Sequence, residues 1–415
     1  MEQEIHLFII WENGRVHEKA VLDDIKLNFE IMKVYGITWS PYQVANNFTR
    51  FYGEKLPKNS HKAQHCGSGE FLLIIVRDNN PRYEKRDTSK GIKLVNSNMF
   101  DAKARYREIT GGGHRIHSTN DIKELRHDLV LLLGISLADF EKEHASQNDT
   151  NDVVLLKKDL SGTNGWVNFD ELFYVLNECC EYLVLRNVEN VNLEYFSKNK
   201  GDVDLLVKDR EETLYVLGDL ESIDKNAGHM HVDVSKQLIL FEVYETRQNL
   251  FPEEFERELF ESKKMMGSIY HPNEMLTFLG LVYHAFILNR NLSKKHKYRL
   301  ITFAERLKIF SDKSIDESTL FQSLIDYFVI KGYGFIPPND NTIYFNKRKE
   351  ILGSFQRNPK RKSLLSLKLS KVIKYSQNRR RIIFTVLSPF RNIFSMKINL
   401  PRMYSIVILV GTKNL

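Results

Sequence analysis

Apolar residues in this chain come in short runs separated by polar turns, and that spacing restricts the fold to layered domains of strands and helices. The longest unbroken stretches, such as Leu129–Gly134 and Ile406–Val410, hold five or six residues. A membrane-spanning helix needs roughly 20. Some runs, HLFIIW from His6 and EFLLIIV from Glu70, have the length and β-branched content of buried strands. Between them lie stretches of helical period. With 26 Phe, 18 Tyr and only 10 Pro in 415 residues, there is bulk enough for a core in each of two or three domains, which excludes a disordered or fibrous protein.

The formal charge of +7 hides a division. Residues 347–415 hold 17 of the 60 Lys and Arg and one acid, Glu350, for a net +16, while residues 1–346 carry 43 basic and 52 acidic groups and a net −9. The basic triplets Lys347–Lys349, Lys360–Lys362 and Arg379–Arg381 interleave with Leu364, Leu365, Leu367, Leu369, Val372 and Ile373 at helix-like spacing. This is the composition of a basic amphipathic surface. It suits an anionic membrane surface, a nucleic-acid backbone, or the solvated face of an ordinary helical segment; no nucleic-acid motif accompanies it, which makes that partner the weaker expectation. The opening MEQEIHLFIIW lacks a basic region before its apolar core, so the expected location is cytoplasmic, with peripheral attachment to the inner face of the membrane. Three cysteines, Cys66 and the pair Cys179 and Cys180, are too few for a disulfide framework and lack metal-ligand spacing. The vicinal pair reads as inert buried thiols.

The expected fold class is α/β (α+β). Strand and helix alternate over residues 1–135: a strand at HLFIIW, a helix over 17–35, a helix from Pro41 to Tyr52, the strand EFLLIIV, a strand near 92–95, and helices over 100–108 and 122–133, the last capped by Asn120 or Asp121. The polar stretch within 136–165 reads as a linker. A mixed-sheet core follows over 166–250, with a helix from Asn168, the strand Tyr182–Arg186, the strand Gly201–Val207, a short helix over 211–219 and a strand at His231–Val234. Residues 251–346 read as a helical domain, and 347–415 as the basic helical tail.

The most informative segment is GDVDLLV, Gly201–Val207. In a strand, Asp202 and Asp204 point to one face while Val203, Leu205 and Val207 point to the other. Two carboxylates so close repel unless a cation lies between them, and hard oxygen donors suit Mg²⁺ or Mn²⁺ with a bound phosphate. Asp233, a lone acid in the apolar strand HVDV, is the expected third ligand. Taken alone, a D-x-D strand fits a solvated edge strand equally well. The stretch from Tyr182 to Asp233 resembles the nucleotidyltransferase superfamily of the DNA polymerase β type, and in particular the nucleotidyltransferase-like proteins of bacterial capsule and lipopolysaccharide clusters. The segment Tyr270–Asn289 resembles their helical half. The resemblance implies a catalytic and metal-binding set of Asp202, Asp204 and Asp233, close backbone approach at Gly201, and a nucleotide or nucleotide-activated donor with a polysaccharide or lipid-linked acceptor. The superfamily's Gly-Ser pair after the first strand is replaced here by Leu185-Arg186-Asn187; Arg186 is either a phosphate contact or a structural ion-pair partner.

A second candidate is the loop TGGGHRIHSTN, Thr110–Asn120. Gly111, Gly112 and Gly113 leave backbone amides open to a ligand, and His114, Arg115 and His117 stand beside them, so the segment reads as a phosphate or sugar-phosphate loop or as a glycine-rich tight turn. It is neither a P-loop nor a dinucleotide fingerprint. The compact loop His65–Gly69 (HCGSG), just before a strand, is expected beside it in one cleft. The expected function is metal-dependent nucleotidyl or phosphoryl transfer in surface-polysaccharide biosynthesis. Its rivals are a toxin-like or antiviral nucleotidyltransferase acting on RNA or protein, and a catalytically silent scaffold.

Overall fold

The computed structural model describes residues 3–89, 91–144, 152–188, 191–192, 194–195, 201–218, 229–310 and 315–346, with the backbone of 395–400 and 404–409. The first sheet and the elements around it run β1 (Glu4–Ile10), α1 (Glu18–Asn28), β2 (Glu30–Thr38), α2 (Val44–Tyr52), α3 (His61–Cys66), β3 (Phe71–Asp78), the separate hairpin β4 (Tyr83–Thr88) and β5 (Gly91–Asn96), α4 (Ser97–Ile109), β6 (Ile116–Ser118), α5 (Ile122–Leu133), α6 (Leu137–His144) and β7 (Val153–Lys157). Its strand order is β6-β1-β3-β2-β7. β6, β1, β3 and β2 pair antiparallel in turn. The crossovers β1–α1–β2 and β3–α4–β6 each leave one antiparallel strand between their ends, which is the double split-βαβ topology.

Both faces of this sheet are covered, which explains its continuous apolar strands. Phe8, Ile10, Leu72, Ile74 and Val76 pack under α1 and α4 with Val21, Ile25, Met99 and Tyr106. Leu7, Ile9, Leu73 and Ile75 face the opposite side, where α2 and α5 bring Phe48, Phe51, Leu125 and Leu129. Trp11 anchors that side, its ring 4.6 Å from Phe71 and its Nε1–H donating to the Tyr52 hydroxyl at 3.0 Å.

Two sequence expectations change here. The helix anticipated over 17–35 stops at Asn28: Phe29 is extended, and Ile31, Val34 and Ile37 belong to β2. The segment 136–165 is more than a linker. It supplies α6, and β7 pairs parallel to β2, where Gly36 lies opposite Leu155 and a Cβ would fall 2.8 Å from the Leu155 side chain. Elsewhere Asp121 and Asn168 cap α5 and α7 (Phe169–Cys179) through their side chains, as expected, and Asn96 caps α4, which begins at Ser97 rather than near 100.

The second sheet follows α7, with β8 (Tyr182–Val184), β9 (Asp202–Val207), α8 (Arg210–Leu217), β10 (His229–Val234) and β11 (Gln237–Glu245) in the order β10-β11-β9-β8. β9 and β11 are parallel; the other pairs are antiparallel. Val203, Leu205, Val207, Phe241 and Val243 point to one face, into a core shared with Leu172, Phe173 and Leu176 of α7. The side chain of Arg50, 1% exposed, reaches from α2 to the carbonyls closing α8, donating to Tyr215 O at 3.1 Å and Val216 O at 2.6 Å, and to Thr163 Oγ1 at 2.7 Å. Both sheets lie in one compact unit, residues 1–248 with 258–273.

After β11 come α9 (Glu253–Glu261), a short hairpin of β12 (Lys264–Met266) and β13 (Ile269–His271), and the helices α10 (Glu274–Ile287), α11 (Lys294–Arg306) and α12 (Glu317–Lys331). In the second unit, residues 249–257 and 274–415, the aromatic pairs Phe251–Tyr283, Phe255–Phe328, Phe278–Phe303 and Phe286–Phe321 join the helices. The amphipathic stretch expected over 347–394 lies outside the described residues. Beyond it, 395–400 and 404–409 form an antiparallel pair of strands, β14 and β15, where helix was expected. No helix among the described residues is long and apolar enough to cross a membrane.

Candidate active site

Strand alternation puts Asp202 and Asp204 on the face of the second sheet opposite its apolar core. The strand beside β9 is β11, and its register sets Glu242 directly across from Asp204 and Leu240 across from Asp202. Ligand oxygens of Asp202, Asp204 and Glu242 all lie within 4.8 Å of one another. Asp204 is buried; Asp202 and Glu242 are half-buried.

Arg186 stands among these carboxylates. The amide of Leu185 donates to the Asp204 carbonyl at 3.0 Å and fixes the chain just before it. The Arg186 guanidinium then pairs in bidentate fashion with Asp204, donates through Nη2 to Asp202 Oδ2 at 3.2 Å, and comes within 3.7 Å of Glu242 Oε2. Burial alone would lower the Arg186 pKa, but Asp204, then Asp202 and Glu242, carry it above the ordinary value. Burial pushes the Asp204 carboxyl up to about 7, with Arg186 opposing the rise and Asp202 and Glu242 adding to it. Tyr244 donates its hydroxyl to Glu242. Asn187, next to Arg186, has a φ of 61° and accepts a hydrogen bond from the Tyr195 hydroxyl at 3.2 Å.

Asp233 does not join this group, which corrects its expected place as third ligand. It sits at the turn end of β10 opposite Leu238, and β11 separates β10 from β9. Its carbonyl accepts from the Trp166 amide at 2.9 Å, its side chain lies against Gly165, and its buried Oδ1 makes no hydrogen bond among the described residues. The carboxylate that completes the cluster is Glu242. Its sequence signal was the one used for Asp233, a lone acid in an apolar strand (LILFEVY). Gly201 precedes β9 at the Asp202 end.

In the first sheet, Gly111, Gly112 and Gly113 have φ of 83°, 83° and 74°, a left-handed run open to glycine. Arg115 closes over the loop, donating Nη1–H groups to Thr110 O at 2.9 Å and Gly112 O at 3.2 Å. The HCGSG segment does lie beside it: Cys66 Sγ donates to His114 O, and the His114 amide donates to His65 Nδ1, each at 3.4 Å. Burial pushes the Cys66 thiol up to about 12, which removes it as a nucleophile at neutral pH. Burial likewise raises Cys179 and Cys180. His114 and His65 titrate below the ordinary imidazole value through desolvation, helped by Lys62 and Arg107 at His114 and by His61 and Arg115 at His65.

His117 points the other way, into a buried network that the sequence did not announce. Its Nε2 lies 2.7 Å from Asp128 Oδ2, and His127 Nδ1 lies 2.9 Å from Asp128 Oδ1. Burial would raise Asp128, but His117 and then His127 outweigh it and hold the carboxyl below its ordinary value. Lys103 donates to Asn120 Oδ1 at 2.7 Å and Ser118 O at 3.2 Å, and burial lowers its pKa to about 8. An imidazole oriented by a buried carboxylate can transfer a proton.

No family model matches this chain, and no curated protein matches it. Among solved structures, an orthorhombic crystal form of Aquifex aeolicus nucleoside diphosphate kinase aligns with 31% of this chain and 93% of its own length, at 12% identity and a TM-score of 0.21. A likeness at that score assigns neither fold nor activity to this chain.

Proposed function

We propose that the second sheet carries a metal-dependent nucleotidyl- or phosphoryl-transfer site formed by Asp202, Asp204 and Glu242, with Arg186 as its phosphate-binding cation. The observation that carries this reading is the convergence of three carboxylates from two adjacent strands around one guanidinium. The donor set fits a hard divalent cation such as Mg²⁺ or Mn²⁺. Bound there, the ion would supply Lewis-acid stabilisation of charge on a transferring phosphoryl group. Asp202, Asp204 and Glu242 would hold it. Arg186 would leave its bidentate pairing with Asp204 and turn to the phosphates, a geometry guanidinium suits. The half-buried Asp202 or Glu242 is the group available to take a proton from an acceptor hydroxyl.

The donor is a nucleoside triphosphate or nucleotide-activated sugar, and the acceptor a surface-polysaccharide precursor. The acceptor class rests on the resemblance of Tyr182–Asp233 and Tyr270–Asn289 alone. The test is metal-dependent release of pyrophosphate or nucleotide by the full chain, in the presence of sugar-phosphate and polyol-phosphate acceptors. Asp204→Asn should abolish it with the fold intact, and a variant that turns over at the wild-type rate removes this mechanism.

One observation favours a second reading, a catalytically silent binding protein. The Arg186 guanidinium already pairs with Asp204 and Asp202 and lies 3.7 Å from Glu242, in the place a metal cation would take. Nucleotide binding that is indifferent to Mg²⁺, together with no turnover, would select that reading.

A further inference from the structure

His61 and His65 stand one turn apart on α3, on the same face, with ring centroids 4.0 Å apart. His114, which follows the three glycines, brings a third ring to within 5.9 Å of His65 and 6.3 Å of His61. The approach is built into the backbone. At Gly113 a Cβ would lie 2.0 Å from His65 Nδ1, so only glycine lets the loop close on the helix. The hydrogen bond from the Cys66 thiol to the His114 carbonyl holds the two segments together, while the 3.4 Å contact from the His114 amide to His65 Nδ1 is one that His65 would give up to ligate through Nδ1. The two glycine-rich segments of the N-terminal domain thus form one wall, and what they share is three imidazoles.

The chemistry of that wall favours a cation over an anion. Arg115 is committed to two loop carbonyls, and Lys62 pairs with Glu54 while lying over the Tyr52 ring. Among the described residues no carboxylate bonds to the three rings, and neutral imidazole is the form that ligates metals. An ion held by imidazole nitrogens at about 2.0–2.1 Å keeps the ring centroids about 5 Å from one another. The observed separations lie on either side of that value, but the three rings do not as they stand bring one nitrogen each within 4.8 Å of the others; His61 is exposed, and the turn of its ring would have to close the set. Nitrogen donors of this kind select Zn²⁺, Ni²⁺ or Cu²⁺ over Mg²⁺.

We propose that His61, His65 and His114 form a binding site for a divalent transition metal of the Zn²⁺ class, distinct from the Asp202–Asp204–Glu242 cluster. Three protein ligands leave one coordination position open to water or an anionic ligand, and the ion ties the TGGGH loop to α3. The test is titration of the tag-free full chain with Zn²⁺ by calorimetry, and with Co²⁺ by its visible absorption. The site predicts one equivalent of Zn²⁺ and a tetrahedral Co²⁺ spectrum. Both should persist in an Asp202→Asn/Asp204→Asn variant. His61→Ala, an exposed change that leaves the core untouched, should weaken Zn²⁺ at least about tenfold, and His61→Ala/His114→Ala should lose the cobalt spectrum. Zn²⁺ binding unchanged in both histidine variants, absent from the wild-type chain, or lost with the aspartate changes overturns the proposal.

Discussion

Arg186 controls how the acidic face behaves. Removing one partner of a buried ion pair leaves uncompensated charge, at about 3–5 kcal/mol. Arg186→Met should therefore destabilise the metal-free protein by about that much at neutral pH, and millimolar Mg²⁺ should restore most of the loss. Urea unfolding with and without the ion reads both effects, and a loss indifferent to Mg²⁺ would mean that the guanidinium is structural only. Lys103 gives a pH signature elsewhere. Its pKa falls from an ordinary 10.5 unfolded to about 8 folded, so between those values the unfolded chain binds the extra proton and stability from this residue rises with pH. The difference in unfolding free energy between wild type and Lys103→Met should accordingly move in favour of wild type by about 3 kcal/mol from pH 8 to pH 10.5. A pH-independent difference would show that Lys103 keeps an ordinary pKa in the fold.

At the scale of elements, β9 separates stability from chemistry by alternation. Leu205→Ala, on the buried face, should cost about 2–5 kcal/mol in unfolding free energy, and ligand affinity measured well below the melting transition should hardly change. Loss of ligand affinity without loss of stability would contradict the assignment of faces. The strand GDVDLLV and the caps at Asp121 and Asn168 were legible because each is a local pattern that tertiary context reinforces. Glu242 was not, because choosing between two lone acids in apolar strands requires knowing which strand neighbours β9, and pairing order is non-local. Residues 29–35 were misread for a related reason: Phe29, Ile31 and Met32 satisfy a helical period as well as a strand, and β3 decides between them by pairing with 30–37. The His117–Asp128 contact was hidden because it joins a strand to the buried side of α5.

At the scale of the molecule, Arg50 ties the two sheets of the first unit together. Because it serves three acceptors in a buried site, Arg50→Met should lower the melting temperature and split the unfolding of residues 1–248 into two calorimetric transitions. A single transition would assign the coupling to apolar packing alone. The +16 segment is separable in charge from the −9 remainder, so truncation at residue 346 should remove binding to anionic vesicles, and raising salt to about 0.5 M should weaken it in the full chain. Vesicle binding unaffected by the truncation would assign membrane affinity to another surface.

On the proposed reading, Asp202, Asp204 and Glu242 form one ligand set, and Asp233, two strands from β9, lies outside it. Thermal shift of the full chain with Mn²⁺ and each of the four ribonucleoside triphosphates tests it, run on wild type, Asp204→Asn, Glu242→Gln and Asp233→Asn. A ligand at a hundredfold excess over its Kd stabilises by about 2.7 kcal/mol. A metal-dependent shift should survive in Asp233→Asn and disappear in Asp204→Asn and Glu242→Gln. A shift retained by Glu242→Gln and lost by Asp233→Asn would contradict that reading.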